Sequence, residues 1–302
     1  MSGPPDRPGT VQPSGADPGA GPTAPGRIPY RPGKLPHAEL ARLIGRYTHA
    51  ADPRLVVPPG LGEDAAVIDL GGPWLVAKTD PITFATDAIG WYAVHVNAND
   101  VAAMGARPAF FLATLLLPAG QATPELAESI FRSIHEAATE LGVAVCGGHT
   151  EITRGVEQPI VVGQMLGLVS RDALVRSSGL EPGHALILTK GMAIEATALI
   201  ARQRRDELVR RGFALALLDR CAAFLTDPGI SVVRDARAAA GAARLSAMHD
   251  PTEGGLATGL AELAAASGVG LEVHHETLPI APESVAMCAA FGLDPLGVIS
   301  SG

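Results

Sequence analysis

The chain has 302 residues, 47% hydrophobic and 18% charged, with a formal net charge of -8; it is long enough for two domains and has the wrong sign for a general nucleic-acid surface. Aromatic residues make up only 4%, so the cores must be built from Ala, Val, Leu and Ile, and no uninterrupted apolar run is long enough to span a bilayer. Cys146, Cys221 and Cys288 form no CxxC pair, which argues against a zinc site or a disulfide framework; each reads as a small buried apolar side chain, in a cytoplasmic protein with no nucleic-acid or membrane partner.

Residues 1–34 are rich in Pro, Gly, Ser and Ala and cannot bury enough surface to offset the entropy of ordering, so a disordered tail is expected there. A first domain is expected over 35–170. Leu40, Leu43, Ile44 and Tyr47 recur at helical spacing. Ala65–Asp69, Trp74–Asp80 and Ala109–Pro118 read as strands. A helix follows with Thr123 as its N-cap, Pro124 at its first position, a stripe of Leu126, Ile130, Ile134 and Leu141, and Gly142 at its end. Val143–Cys146 and Ile160–Val169 are the next strands. Residues 171–183 read as a linker, and 184–302 as a second mixed domain. There Ala185–Thr189 and Leu271–His274 are expected as strands, and Ile194–Arg204 and Leu256–Ala266 as helices. Leu293–Ser300 reads as chain entering another strand, so the second domain is expected to be truncated at Gly302. The fold class is α/β.

Four acidic residues stand between apolar segments: Asp64, Asp80, Asp100 and Asp250. Carboxylates at such places suit Mg²⁺, a hard cation that takes oxygen ligands and is shared with phosphate. Each taken singly is better explained as a turn or helix cap. Gly147-Gly148-His149-Thr150 follows an apolar strand, and Gly254-Gly255 opens a helix just after Asp250. Glycines there allow a phosphate to approach backbone N–H groups, although ordinary tight turns account for them as well. His149 offers a base, a ligand or a donor. His249 stands beside Asp250 and reads as a packing residue, and His274 and His275 would face opposite sides of a strand.

The order of these segments is more specific than any one of them. Gly-Glu-Asp-Ala-Ala (62–66), Lys-Thr-Asp (78–80), Asn-Asp-Val-Ala-Ala-Met-Gly-Ala (99–106), Gly-Gly-His-Thr (147–150) and Asp-Pro-Thr-Glu-Gly-Gly-Leu (250–256) follow one another. This series resembles the AIR synthase-related (PurM/HypE) superfamily, HypE-like hydrogenase maturation proteins in particular. The resemblance implies a two-domain PurM-like fold, in which two N-terminal domains build a dimeric β-barrel-like core beside a C-terminal α/β domain. It implies ATP and Mg²⁺ as cofactors, with Asp64, Asp80, Asp100 and Asp250 holding the metal. Lys78 and His149 then become catalytic candidates, and Asn99, Gly147, Gly148, Thr150, Gly254 and Gly255 ATP- or phosphate-binding ones. The activity implied is phosphoryl transfer from ATP that activates a carboxamide or similar acceptor. The partners implied are a second copy of the chain and another hydrogenase maturation protein. Alternatives are a small-molecule kinase or synthetase, of the thiamine-phosphate kinase or selenophosphate synthetase kind, and a non-catalytic nucleotide-binding regulator. Two departures bear on this. His149 stands where HypE-like proteins often have Asp, and the HypE terminal Pro-Arg-x-Cys tail is not seen.

Overall fold

The computed structural model describes residues 35–48, 52–60, 62–85 and 87–302, so the expected tail over 1–34 lies outside the described residues. The first half of the chain builds one six-stranded sheet from β1 (Leu55–Val57), β2 (Ala66–Ile68), β3 (Trp74–Ile82), β4 (Arg107–Pro118), β5 (Ala144–Thr153) and β6 (Ile160–Val169). Their spatial order is β1-β2-β3-β6-β4-β5. All neighbours are antiparallel except β4 and β5. That parallel pair requires a crossover, and helix α3 (Pro124–Leu141) supplies it. Thr123 caps α3 by accepting the Leu126 N–H at 3.2 Å, and Gly142 ends it in the left-handed region at φ 68°.

Burial alternates along β6, where Val161, Met165 and Val169 turn inward. A helix lies on that inner face: α2 (Ile89–Ala103), in which every residue but Trp91 is buried. Isoleucine, valine and alanine run all round this helix, so it carries no apolar stripe, as expected of an element enclosed on all sides. The second half of the chain is helical, with α4 (Ile194–Gln203), α5 (Arg205–Arg210), α6 (Leu215–Ala223), α7 (Val233–Ala242), α8 (Gly255–Ser267) and α9 (Pro282–Ala290). An amphipathic helix, α1 (His37–Tyr47), precedes the sheet. The main core extends from the sheet and α2 into Ile194, Ala198, Leu225 and Ile230. A smaller core gathers Leu208, Leu218, Cys221 and Met287.

Several sequence expectations are corrected. Ala185–Thr189 and Leu271–His274 carry no strand ladder. Apolar, β-prone chain becomes a strand only where a neighbour takes its backbone groups, and among the described residues none does; Ile187 is left 88% exposed. His275 belongs to a 3-10 turn, His275–Thr277, rather than to a strand with His274. The expected strand within Leu293–Ser300 is absent as well. That segment turns at Asp294–Gly297, and the Ile299 carbonyl and Ser300 N–H then bond Ala196 and Thr252. Cys221 and Cys288 are buried as expected, but Cys146 is exposed on β5. Among the described residues no helix is long and apolar enough to cross a membrane.

Candidate functional site

Alternation along β3 puts Lys78 and Asp80 on one side of the strand. The Lys78 ammonium donates to Asp100 Oδ1 at 2.7 Å and lies 3.2 Å from Asp80 Oδ2. Asp100 comes from the last turn of α2 and is buried. Burial alone would lower the lysine, but Asp100 and Asp80 outweigh it and hold the ammonium above its usual range. Asn97 fixes the register between strand and helix. Its Oδ1 accepts the Asp80 N–H at 2.8 Å and its Nδ2 donates to the Ala93 carbonyl at 2.8 Å. Gly163 on β6 leaves the room, since a Cβ there would stand 2.4 Å from Asn97 Nδ2.

The other side of the site comes from the loop before β2 and the segment before α8. His249 is held between two carboxylates, with Nδ1 2.5 Å from Asp64 Oδ1 and Nε2 2.9 Å from Glu262 Oε2 on α8. Glu262 also meets His37 of α1 at 3.4 Å. Burial would lower the imidazole, but the bonds to Asp64 and Glu262 raise it to about 10. Asp250 is buried with neither carboxylate oxygen hydrogen-bonded, and Asp64 Oδ2 and Asp100 Oδ2 are likewise unpartnered. Burial, and then the Asp64 charge, push the Asp250 carboxyl up to about 8. Burial and Asp250 push Asp100 up as well. Asp64, His249 and Asp250 bring ligand atoms within 4.8 Å of one another, Lys78 ties Asp80 to Asp100, and the Asp250 charge bears on Asp100, so the structure brings the four acids into one neighbourhood. Lys78 and His249 are the cations among them. Asp80 and Asp100 sit within a strand and a helix, rather than in the turns their sequence context suggested.

The remaining candidates do not join this cluster within one chain. Gly147, Gly148, His149 and Thr150 lie inside β5, not in a loop after a strand. Through Ala113 and Gly163, Gly148 shares a row with Asp80, which places it three strand spacings, roughly 14 Å, away. Gly148 answers a packing need: a Cβ there would stand 2.0 Å from the Ala113 carbonyl oxygen. His149 is exposed and faces Glu151 at 3.6 Å. Gly254 and Gly255 open α8 at φ 83° and 60°, but a Cβ on Gly255 would lie 2.3 Å from the Val298 oxygen. The Leu296 carbonyl takes the Ala257 N–H. The last segment of the chain therefore occupies the helix N-terminus expected to cradle phosphate. The Asn99 amide is engaged within the chain, where its Nδ2 donates to the Ile230 carbonyl and its Oδ1 accepts the Val232 N–H, both at 2.8 Å. That amide clamps the second half of the chain to α2.

Residues 62–169 match the family model for the N-terminal domain of AIR synthase related protein, and residues 181–302 match that for its C-terminal domain. The chain belongs to the AIR synthase-related family. A putative hydrogenase expression/formation protein of Methanocaldococcus jannaschii is 30% identical over 246 residues, covering 80% of this chain and 69% of its own length. The carbamoyl dehydratase HypE of Cupriavidus necator is 32% identical over 255 residues, covering 80% and 67%. A crystal structure of the hydrogenase maturation protein HypE in complex with ATP superposes with a TM-score of 0.65 at 26% identity, over 86% of this chain and 75% of that one. A thiamine monophosphate kinase from Aquifex aeolicus shares the fold at TM-score 0.66 and 20% identity. The two-domain PurM-like fold is thus the one this AIR synthase-related chain adopts.

The residues present fit the divalent cation that the AIR synthase-related family implies. Buried carboxylate oxygens without partners are costly unless a cation or proton meets them, and they come here from Asp64, Asp100 and Asp250. Sequence reasoning passed over three residues of the site. His249 carries one signal, its adjacency to Asp250, which simple packing also explains. Asn97 and Glu262 carried none, because their partners come from β3 and from the segment before α8.

Proposed function

We propose that this chain is an ATP-dependent enzyme of the HypE type, which activates a carboxamide or similar acceptor by phosphoryl transfer in hydrogenase maturation. The observation that carries the reading is the set of unpartnered, buried carboxylate oxygens of Asp64, Asp100 and Asp250, with Asp64 and Asp250 beside each other and the Lys78 ammonium on Asp100. Support comes from relatives named carbamoyl dehydratase and hydrogenase expression/formation protein, and from a HypE that binds ATP. In this reading Asp64, Asp80, Asp100 and Asp250 hold divalent cations, Mg²⁺ among them, which would neutralise charge on the transferred phosphoryl group. Lys78 keeps Asp80 and Asp100 at a fixed spacing and presents its own charge to the phosphates. Asn97 holds the Asp80 backbone against α2, so the carboxylates stay in place without rearrangement. The proposal includes the domain division at 35–170, 171–183 and 184–302, a homodimer and a second maturation protein as partner.

The test is Mg·ATP binding and ATP turnover with a carbamoylated cysteine peptide as acceptor. Asp100→Asn and Asp250→Asn are each expected to reduce turnover at least 100-fold while the circular dichroism spectrum stays native. Turnover unchanged in both variants would falsify the site. Phosphorylation of a free small molecule in place of the peptide would move the reading to a kinase.

A further inference from the structure

Magnesium is a hard ion that takes oxygen ligands in an octahedral shell, whereas imidazole nitrogen suits the later first-row transition ions. A buried ring nitrogen is therefore out of place in a site built for magnesium alone. Asp64, His249 and Asp250 each offer one ligand atom, and these atoms lie within 4.8 Å of one another. Both Asp250 oxygens and Asp64 Oδ2 are buried and have no other partner. The far side of the ring is engaged as well. His249 Nε2 meets Glu262 Oε2 at 2.9 Å, and the other Glu262 oxygen meets His37. A carboxylate behind the ring fixes its tautomer and orientation, the arrangement that ligating histidines characteristically have.

We propose that His249 is a metal ligand, that the cation on the Asp64–Asp250 side of the cluster is a first-row transition ion rather than magnesium, and that Glu262 is the positioning residue that holds the ring from behind. The inference rests on reading the acidic cluster as the cation site and narrows the ion. On entry the ion takes the place of the proton between His249 Nδ1 and Asp64, and that proton leaves to solvent. Glu262 keeps the Nε2 proton, so the Nδ1 lone pair points at the ion.

The experiment uses the full chain without nucleotide, titrated with Co²⁺ and Mg²⁺ by calorimetry, together with pulsed electron paramagnetic resonance of bound Mn²⁺. The expected results are a nitrogen coupling on Mn²⁺ and an affinity for Co²⁺ at least 100-fold above that for Mg²⁺. His249→Gln should bring that ratio below tenfold, and Glu262→Gln should weaken Co²⁺ about 10- to 100-fold. No nitrogen coupling in the wild-type protein overturns the proposal even if His249→Gln fails to fold. An unchanged ion preference in a folded His249→Gln variant overturns it too. The wider reading fails separately: if Asp64→Asn and Asp250→Asn both leave Co²⁺ and Mg²⁺ binding intact, the acidic cluster is not the cation site at all. If they abolish binding while His249→Gln keeps the preference, only the ligand assignment falls.

Discussion

Asn99 is fully buried, and its amide satisfies one carbonyl and one N–H of the 230–232 segment. Truncation to alanine would leave both backbone groups without partners, at a cost of about 2–4 kcal/mol. Asn99→Ala should therefore lower the midpoint of chemical denaturation clearly, whereas a residue that only binds nucleotide would leave it unmoved. Glu195, at the start of α4, is buried outside the acidic cluster. Burial pushes its carboxyl up to about 7, against the pull of the Ser301 N–H, which it accepts at 3.0 Å. Between pH 4.5 and 7 the native protein keeps a proton that the unfolded chain has released, so this group makes stability fall as pH rises through that window. Glutamine there keeps the acceptor for Ser301 and removes the ionisation. Glu195→Gln should exceed the wild type in stability at pH 8 by as much as about 3 kcal/mol, and the gain should shrink toward nothing near pH 5. An equal gain at both pH values would show that the carboxylate charge is not its source.

The elements divide by how much of their partner lies nearby in sequence. Helix α3 could be read almost to the residue, since Thr123, Pro124 and Gly142 are local signals and its apolar stripe has one solvent side. Strand β6 was read to the residue because its pairing needs were written in β-branched and aliphatic residues. Helix α2 left no such trace. Apolar on every side, it has no 3.6-residue contrast, so Asp100 looked like a turn residue. Strand β5 reads as ending at Cys146 because Gly147-Gly148 has the form of a turn, and the close approach of the β4 backbone explains the glycine at 148. The acidic cluster was legible through the order of its segments. Lys78 came with it, two residues before Asp80, whereas His249, which meets Asp64 across the fold, did not. Strand β5 gives the test at this scale. Gly148→Ala would drive a methyl group into the Ala113 carbonyl and should cost about 1–3 kcal/mol, with the loss read as faster amide exchange along β4 and β5. Native exchange rates in that variant would mean that the glycine serves a ligand and not the pairing.

At the scale of the molecule, the sheet has one covered and, among the described residues, one uncovered face. Helix α2 lies over the inner face, where Phe111, Ala113, Leu115 and Leu117 of β4 are buried. The outer face carries Phe110, Leu112 and Leu116 of β4 with Leu166 and Leu168 of β6, all partly or largely exposed. Strand β5 forms the open edge, ten residues long; its register sets Val145 beside Phe111 and Ile152 beside Leu117, on the inner side of the sheet, where they are still 49% and 65% exposed. The opposite edge, β1, has only three residues and an irregular register. A long apolar edge left open is a template for pairing with another chain, and an apolar face this continuous is found where a partner covers it. A second copy offers the same face, and a two-fold axis lets one patch serve both sides. The expected result is a dimer by light scattering at micromolar concentration. Phe110→Lys and Leu168→Lys should convert it to a folded monomer, because both side chains are exposed enough in the single chain for lysine to reach solvent. A wild-type monomer at that concentration, or a dimer indifferent to both substitutions, would place the interface elsewhere and leave the outer face of the sheet to a different partner.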